Sequence, residues 1–126
     1  MKLEDALATL IETRVAGFTQ GVNLFHSHMP AQITDGTLIL TRVPIYPDAY
    51  NGMRKGTFQV IVRGTDLVAA HDKASAIAKA LRGEGAVAGD VKFLFIFPIN
   101  EPLAFPRTDG SLFEASVNFQ FAAHWE

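Results

Sequence analysis

Thr57-Phe58-Gln59-Val60-Ile61-Val62-Arg63, closed by Gly64, alternates with a period of two. Phe58, Val60 and Val62 fall on one side of an extended chain and Gln59, Ile61 and Arg63 on the other, the pattern of a strand with one buried face. Gly64 ends the strand, and Thr65 or Asp66 can cap a helix from Leu67 to Arg82. Leu67, Ala70, Ala74, Ile77, Ala78 and Leu81 lie on one stripe of that helix, with Lys73 and Lys79 outside it. The alanines on the stripe let the helix sit close against a sheet, and Gly83 and Gly85 stop it.

Upstream, Leu3, Leu7, Leu10 and Ile11 share a face and predict a first helix over Leu3 to Val15, with Glu4 and Asp5 in its first turn and Gly17 past its end. Val22 to His28 reads as a strand ended by Pro30, and Asp35-Gly36 turns into a second strand over Thr37 to Thr41. Arg42 to Gly56 carries Pro44, Pro47 and Asn51-Gly52 and reads as a long loop, with Tyr46, Tyr50 and Met53 among its residues. Downstream of the second helix, a flexible stretch over 83–89 leads to the apolar strand Val91 to Phe97. A turn region over 98–110 follows, then an alternating strand over Leu112 to Ala122. The expected fold is α+β, with a mostly antiparallel five-stranded sheet, both helices on one face, and a long loop between strands 2 and 3. The 126 residues make one domain's worth of chain.

Two helices cover only one face of such a sheet. Simple alternation then leaves Leu94 and Ile96, with Ile61, on the opposite face, where exposure costs about 25 cal/mol per Å² of apolar area. Cover is expected either from the chain's own long loop or first strand, or from a neighbouring subunit.

Composition excludes several functions. Lys and Arg number 11 against 13 Asp and Glu, a net charge of −2 that supplies no field to hold a polyanion. Without cysteine there is no disulfide framework and no thiolate metal site. The acidic N-terminus is unlike a signal peptide, and no apolar run approaches the ~20 residues that span a bilayer, so the expected setting is soluble and cytoplasmic. No phosphate loop or nucleophile elbow is present. His26 and His28, two apart on a strand, share a face as a metal pair would, with Asp35, His71 or Asp72 as a third ligand, but two ligands leave a site incomplete. Glu101, Asp109 and Glu114 cluster around the 98–114 turn at positions expected to be exposed. Arg54, Lys55 and Arg63 form the basic cluster and, beside Tyr46, Tyr50 and Met53, suit a polar protein interface. Trp125, next to last, is a core filler or an anchor, and its terminal place favours an anchor on a partner.

Several segments together carry a family resemblance. Gly56 to Gly64 with its alanine-striped helix ending Ala80-Leu81, Pro102 to Gly110 leading to Ser116-Val117-Asn118-Phe119, and Asn23-Leu24-Phe25 before Met29-Pro30 occur in order along nearly the whole chain. In combination they resemble bacteriophage minor capsid and tail terminator proteins. His26, His28 and the Tyr-rich 42–56 segment depart from the pattern. The resemblance implies a virion structural protein of the phage neck and no enzyme, without cofactor or membrane contact. It implies a ring, usually of six copies, that stops growth of the tail tube, with the chain itself, the major tail tube protein and a head completion or connector protein as partners. The expected localisation is the virion neck, with the host cytoplasm during assembly. Six copies would carry about −12, so DNA would pass through the channel without specific binding. Two other readings stand beside this one, a neck adaptor contacting the portal and a small metal-dependent enzyme or binding module using His26 and His28.

Overall fold

A computed structural model describes residues 2–47, 53–106 and 112–125. In chain order these form α1 (Lys2–Arg14), β1 (Leu24–His26), β2 (Gly36–Pro47), β3 (Met53–Gly64), α2 (Leu67–Leu81), β4 (Gly83–Glu84), β5 (Val87–Ala88), β6 (Val91–Pro98), β7 (Leu103–Pro106) and β8 (Phe113–His124). All eight strands join one sheet of order β1-β2-β3-β8-β6-β4, with β5 on β6 and β7 on β8. Among these strands only β1 and β2 pair in parallel.

The α+β class and the two helices stand, but the sheet has eight strands where five were expected. The three extra strands are two to four residues long, in segments whose Gly and Pro content reads as turn. Each is held by an edge of β6 or β8 and not by an alternation of its own. The anticipated long loop shrinks as well, because β2 runs on to Pro47 and β3 begins at Met53. The ladder accommodates Pro44, which has no N–H to give, by a register irregularity between Arg42 and Tyr46.

β3 and β8 form the centre, antiparallel over their whole length from Met53↔His124 to Gly64↔Phe113. Phe58, Val60 and Val62 on β3 and Ala115, Val117, Phe119, Phe121 and Ala123 on β8 alternate onto the buried face. Phe58 and Phe119 are cross-strand partners whose rings stack at 4.8 Å and 11°. Phe121 lies against Phe58, and Phe93 meets Phe121 edge-on. The helices complete this core with Leu3, Leu7 and Ile11 of α1 and Ala70, Ala74, Ile77 and Leu81 of α2. Asp66 caps α2, its carboxylate accepting from the Ala69 N–H at 3.3 Å.

β6 departs from simple alternation. Phe93 pairs with Ala123 and Phe95 with Ala122, so Leu94 is an extra residue opposite no partner. The bulge resets the phase, placing both Phe93 and Ile96 in the core. Ile96 is 1% exposed and Leu94 is 44% exposed. The expectation that Ile96 shares the far face with Leu94 is therefore wrong, because the bulge at Leu94 interrupts the alternation.

Replacing Phe58 by Ala removes half of a fully buried stack and should cost about 3–5 kcal/mol in urea unfolding. Deleting Leu94 leaves the pairings Phe93↔Ala123, Phe95↔Ala122 and Ile96↔Phe121 in place. That shortened chain should unfold cooperatively with a smaller loss than Phe58→Ala.

Candidate interaction surface

The face of the sheet away from the helices is built by the other half of each alternation. Across β2, β3, β8 and β7 it presents the row Leu38, Ile61, Ser116 and Leu103, and beside it the row Gly36, Arg63, Glu114 and Phe105. The next rows carry Gln59 with Asn118 and Thr57 with Gln120. On β6, Phe95 and Phe97 stack at 5.3 Å and 19°.

One end of this face is covered by the chain itself. Gly36 has no side chain because the Met29 Sδ and Ile33 Cγ2 atoms lie 2.8 Å from where a Cβ would stand. Arg63 reaches the same connection, donating from Nη1 to the Pro30 carbonyl at 3.2 Å and the Ile33 carbonyl at 3.1 Å, while its Nε donates to Glu114 Oε2 at 3.2 Å. Arg63 is thus a buried strut and not part of an exposed basic cluster, and Glu114 is its half-buried counter-ion and not an exposed turn carboxylate. Ile61 is half-buried next to this cover. Toward β6 and β7 the face stays open, with Leu94, Leu103 and Phe105 exposed and Phe95 and Phe97 half-buried.

The remaining sequence candidates divide. Met53, Arg54 and Lys55 open β3, and Lys55 is exposed on the helix-free face. Arg54 faces the other way: its guanidinium lies 4.2 Å from the Trp125 ring centroid and its Nη1 donates to the Trp125 carbonyl. Trp125 is 9% exposed and belongs to the core cluster, so it is not an outward anchor as its terminal position suggested. β8 runs far enough to carry it back under Arg54. Tyr46 pairs with Lys55 in the ladder, and Tyr50 and Asp109 fall outside the described residues. Glu101 is exposed.

His26 and His28 do not share a face. β1 ends at His26, and Ser27 has φ 70°, which breaks the extended alternation before exposed His28. His26 instead packs on α1, its Nε2 3.0 Å from Asp5 Oδ1 and its Nδ1 3.7 Å from Glu4 Oε1. Asp35 pairs with Lys73 at 3.1 Å, and His71 lies beside Asp72 at 3.8 Å. Among the described residues no group of three or more His, Asp or Glu is placed to hold a metal ion.

Sequence reasoning missed Glu4, a buried carboxylate in the first turn of α1. Ser27 Oγ donates to its Oε1 at 2.7 Å, and the Thr41 N–H and hydroxyl donate to its Oε2 at 3.1 and 3.2 Å. The helix is pinned there to β1 and β2. In sequence Glu4 is indistinguishable from an ordinary first-turn acid. At the other end of α1, the Gln20 N–H and side-chain amide both donate to Glu12, at 2.8 and 2.7 Å, and hold its carboxyl below the usual range. A lowered folded value means that this contribution is present above the unfolded value and lost as pH falls through the folded one.

The architecture is that of an α+β protein with one helix-covered and one partly open sheet face. The model for the bacteriophage tail terminator protein family matches residues 7–125, and the chain belongs to that family, which makes it a structural protein of phage tails and a virion component. Among solved structures, a chain of the virion of a native gene transfer agent particle has the same fold, with a TM-score of 0.58 and 16% identity over 98% of this chain and 87% of that one. No curated protein matches the sequence.

Replacing Glu4 by Ala strands the Thr41 N–H and the Ser27 hydroxyl and should lower unfolding stability by about 1–3 kcal/mol, with Glu4→Gln losing less. An NMR titration of Glu12 should give a midpoint below that of a free glutamate. The Gln20→Ala variant should raise it only part of the way, because the backbone N–H at position 20, the larger cause of the lowering, still donates.

Proposed function

We propose that the chain is a ring-forming tail terminator, usually six copies, that caps the tail tube in the phage neck and docks it to the head connector. Family membership supports the tail role. The observation that carries the ring is the open part of the helix-free face, where Leu94, Leu103 and Phe105 stand exposed beside the Phe95–Phe97 stack. An apolar group of this kind on a sheet edge is a liability for a lone subunit and an asset at an interface. In this reading the partners are further copies of the chain, the major tail tube protein and a head completion or connector protein. DNA passes through the ring without being gripped, in keeping with the acidic balance of the subunit. Assembly takes place in the host cytoplasm.

Light scattering on the purified chain should show a mass that rises with concentration from one chain, 13.7 kDa, toward a closed multiple. Tail tubes assembled with the chain should be capped and uniform in length, and those without it should overgrow. A single-chain mass at high micromolar concentration, with no binding to tubes, would falsify the ring.

A further inference from the structure

The two edges of the sheet differ in kind, with a projecting turn beside a carboxylate at one and a groove lined by two cations at the other. At the β1 edge, the turn before the strand is a rigid tip. The Thr19 carbonyl accepts the N–H groups of Val22, Asn23 and Leu24, the Asn23 side chain accepts from the Thr19 N–H at 2.7 Å, and its amide donates to the Gly17 carbonyl at 2.7 Å. This bracing holds Val22 outward at 66% exposure, the most exposed large apolar side chain among the described residues. Gly21, with no side chain, precedes it, and the Gln20 contacts tie the ionised Glu12 alongside. A turn fixed by that many hydrogen bonds has already lost the entropy that ordering at an interface would cost.

At the opposite edge, where β6 lies four strand steps or about 19 Å from β1, a groove of about 510 Å³ lies between α2 and the β6–β7 connection. Ala78, Lys79 and Arg82 form its helix wall, and Pro98, Ile99 and Pro102 form its apolar side. Ile99 is 54% exposed. The connection is itself held in place, the Ile99 N–H donating to the Asn118 carbonyl at 2.7 Å and the Asn118 N–H to Asn100 Oδ1 at 3.0 Å. Neither Lys79 nor Arg82 pairs through its side chain among the described residues, and Glu101 is the one acid lining the groove, so it keeps an excess of positive charge.

We propose that the Val22 turn of one copy seats in the α2/β6–β7 groove of the next, with Val22 against Pro98, Ile99 and Pro102 and Glu12 facing Lys79 and Arg82. The contact rests on the ring reading above and names the surfaces that would build it. The groove volume exceeds one valine, so the turn backbone enters with it, which Gly21 permits. Because tip and groove sit at opposite edges of one rigid sheet, each copy offers one of each, and the repeat is head-to-tail. The groove adjoins the apolar patch through Phe97, which lines the one and stacks on Phe95 in the other, so the same neighbour shields both.

The test is a mixing experiment on the full chain, read by light scattering. Val22→Arg places a cation on the tip, and Lys79→Glu with Arg82→Glu inverts the groove. All three positions are exposed, so both variants should melt within a few degrees of the unsubstituted chain. Each variant alone should fall to the mass of one chain, and an equimolar mixture should give twice that mass and nothing larger, because each variant keeps one good surface. If the unsubstituted chain multimerises but either variant keeps its mass, or the mixture stays single-chain, this contact is wrong while the ring survives. If the unsubstituted chain never multimerises, ring and contact fall together.

Discussion

Phe58 and Phe119, from opposite halves of the chain, stack across the β3–β8 ladder, and the rest of the molecule is arranged around that pair. The ladder is antiparallel along both strands without a register break, which fixes which side chains of β3 and β8 face the helices. α2 has its alanines where it crosses these strands, and the close approach they allow brings Ile77 and Leu81 into the same cluster as the phenylalanines. Every other strand pairs with this central unit or with a strand that does. Such long-range pairing makes folding slow relative to local structure, since β3 has no partner on that side until β8 exists.

Two buried ionic groups secure the periphery. Glu4 gathers donors from Ser27 and Thr41 and fixes how α1 crosses β1 and β2, while Arg63 gathers Glu114 and two carbonyls of the β1–β2 connection. Their value lies less in net stabilisation than in what a misregistered sheet would leave unpaired. A one-residue slip of β2 on β3 would carry Thr41 away from Glu4, and the same slip of β8 would part Glu114 from Arg63. A buried charge without partners costs far more than a mismatched apolar contact.

Much of the fold was legible because its long elements obey a single period. Both helices, β3 and β8 follow from alternation or from 3.6-residue spacing, and Asp66 as a cap follows from its chemistry. What was not legible depends on neighbours. A bulge shows only as a change in pairing, so alternation alone puts Ile96 on the wrong face. Two- to four-residue strands such as β4, β5 and β7 exist because an edge awaits them. The site was less legible than the fold, since Arg63 and Trp125 look like surface residues until β8 brings Glu114 and Arg54 beside them. His26 and His28 looked paired until Ser27 turned the chain.

The structure also changes the shape of the case for assembly. Simple alternation puts Leu94, Ile96 and Ile61 together on the far face in need of cover, which a face-to-face pair would satisfy as well as a ring. Instead the chain covers the Arg63 end with its own 27–33 segment, Ile96 joins the core, and the apolar side chains that stay exposed on that face gather toward β6 and β7. A patch confined to one edge, with a separate apolar tip at the other, is poorly suited to a two-fold contact, in which the same patch must meet itself. It suits a repeat in which unlike edges meet. Whether such a repeat closes or runs on as a filament depends on the angle between successive copies. In the proposed ring that angle would be fixed by stiff parts, a turn braced on Thr19 and Asn23 meeting a groove braced on Asn118, and rigidity on both sides is what lets one contact geometry select a single closed number of copies.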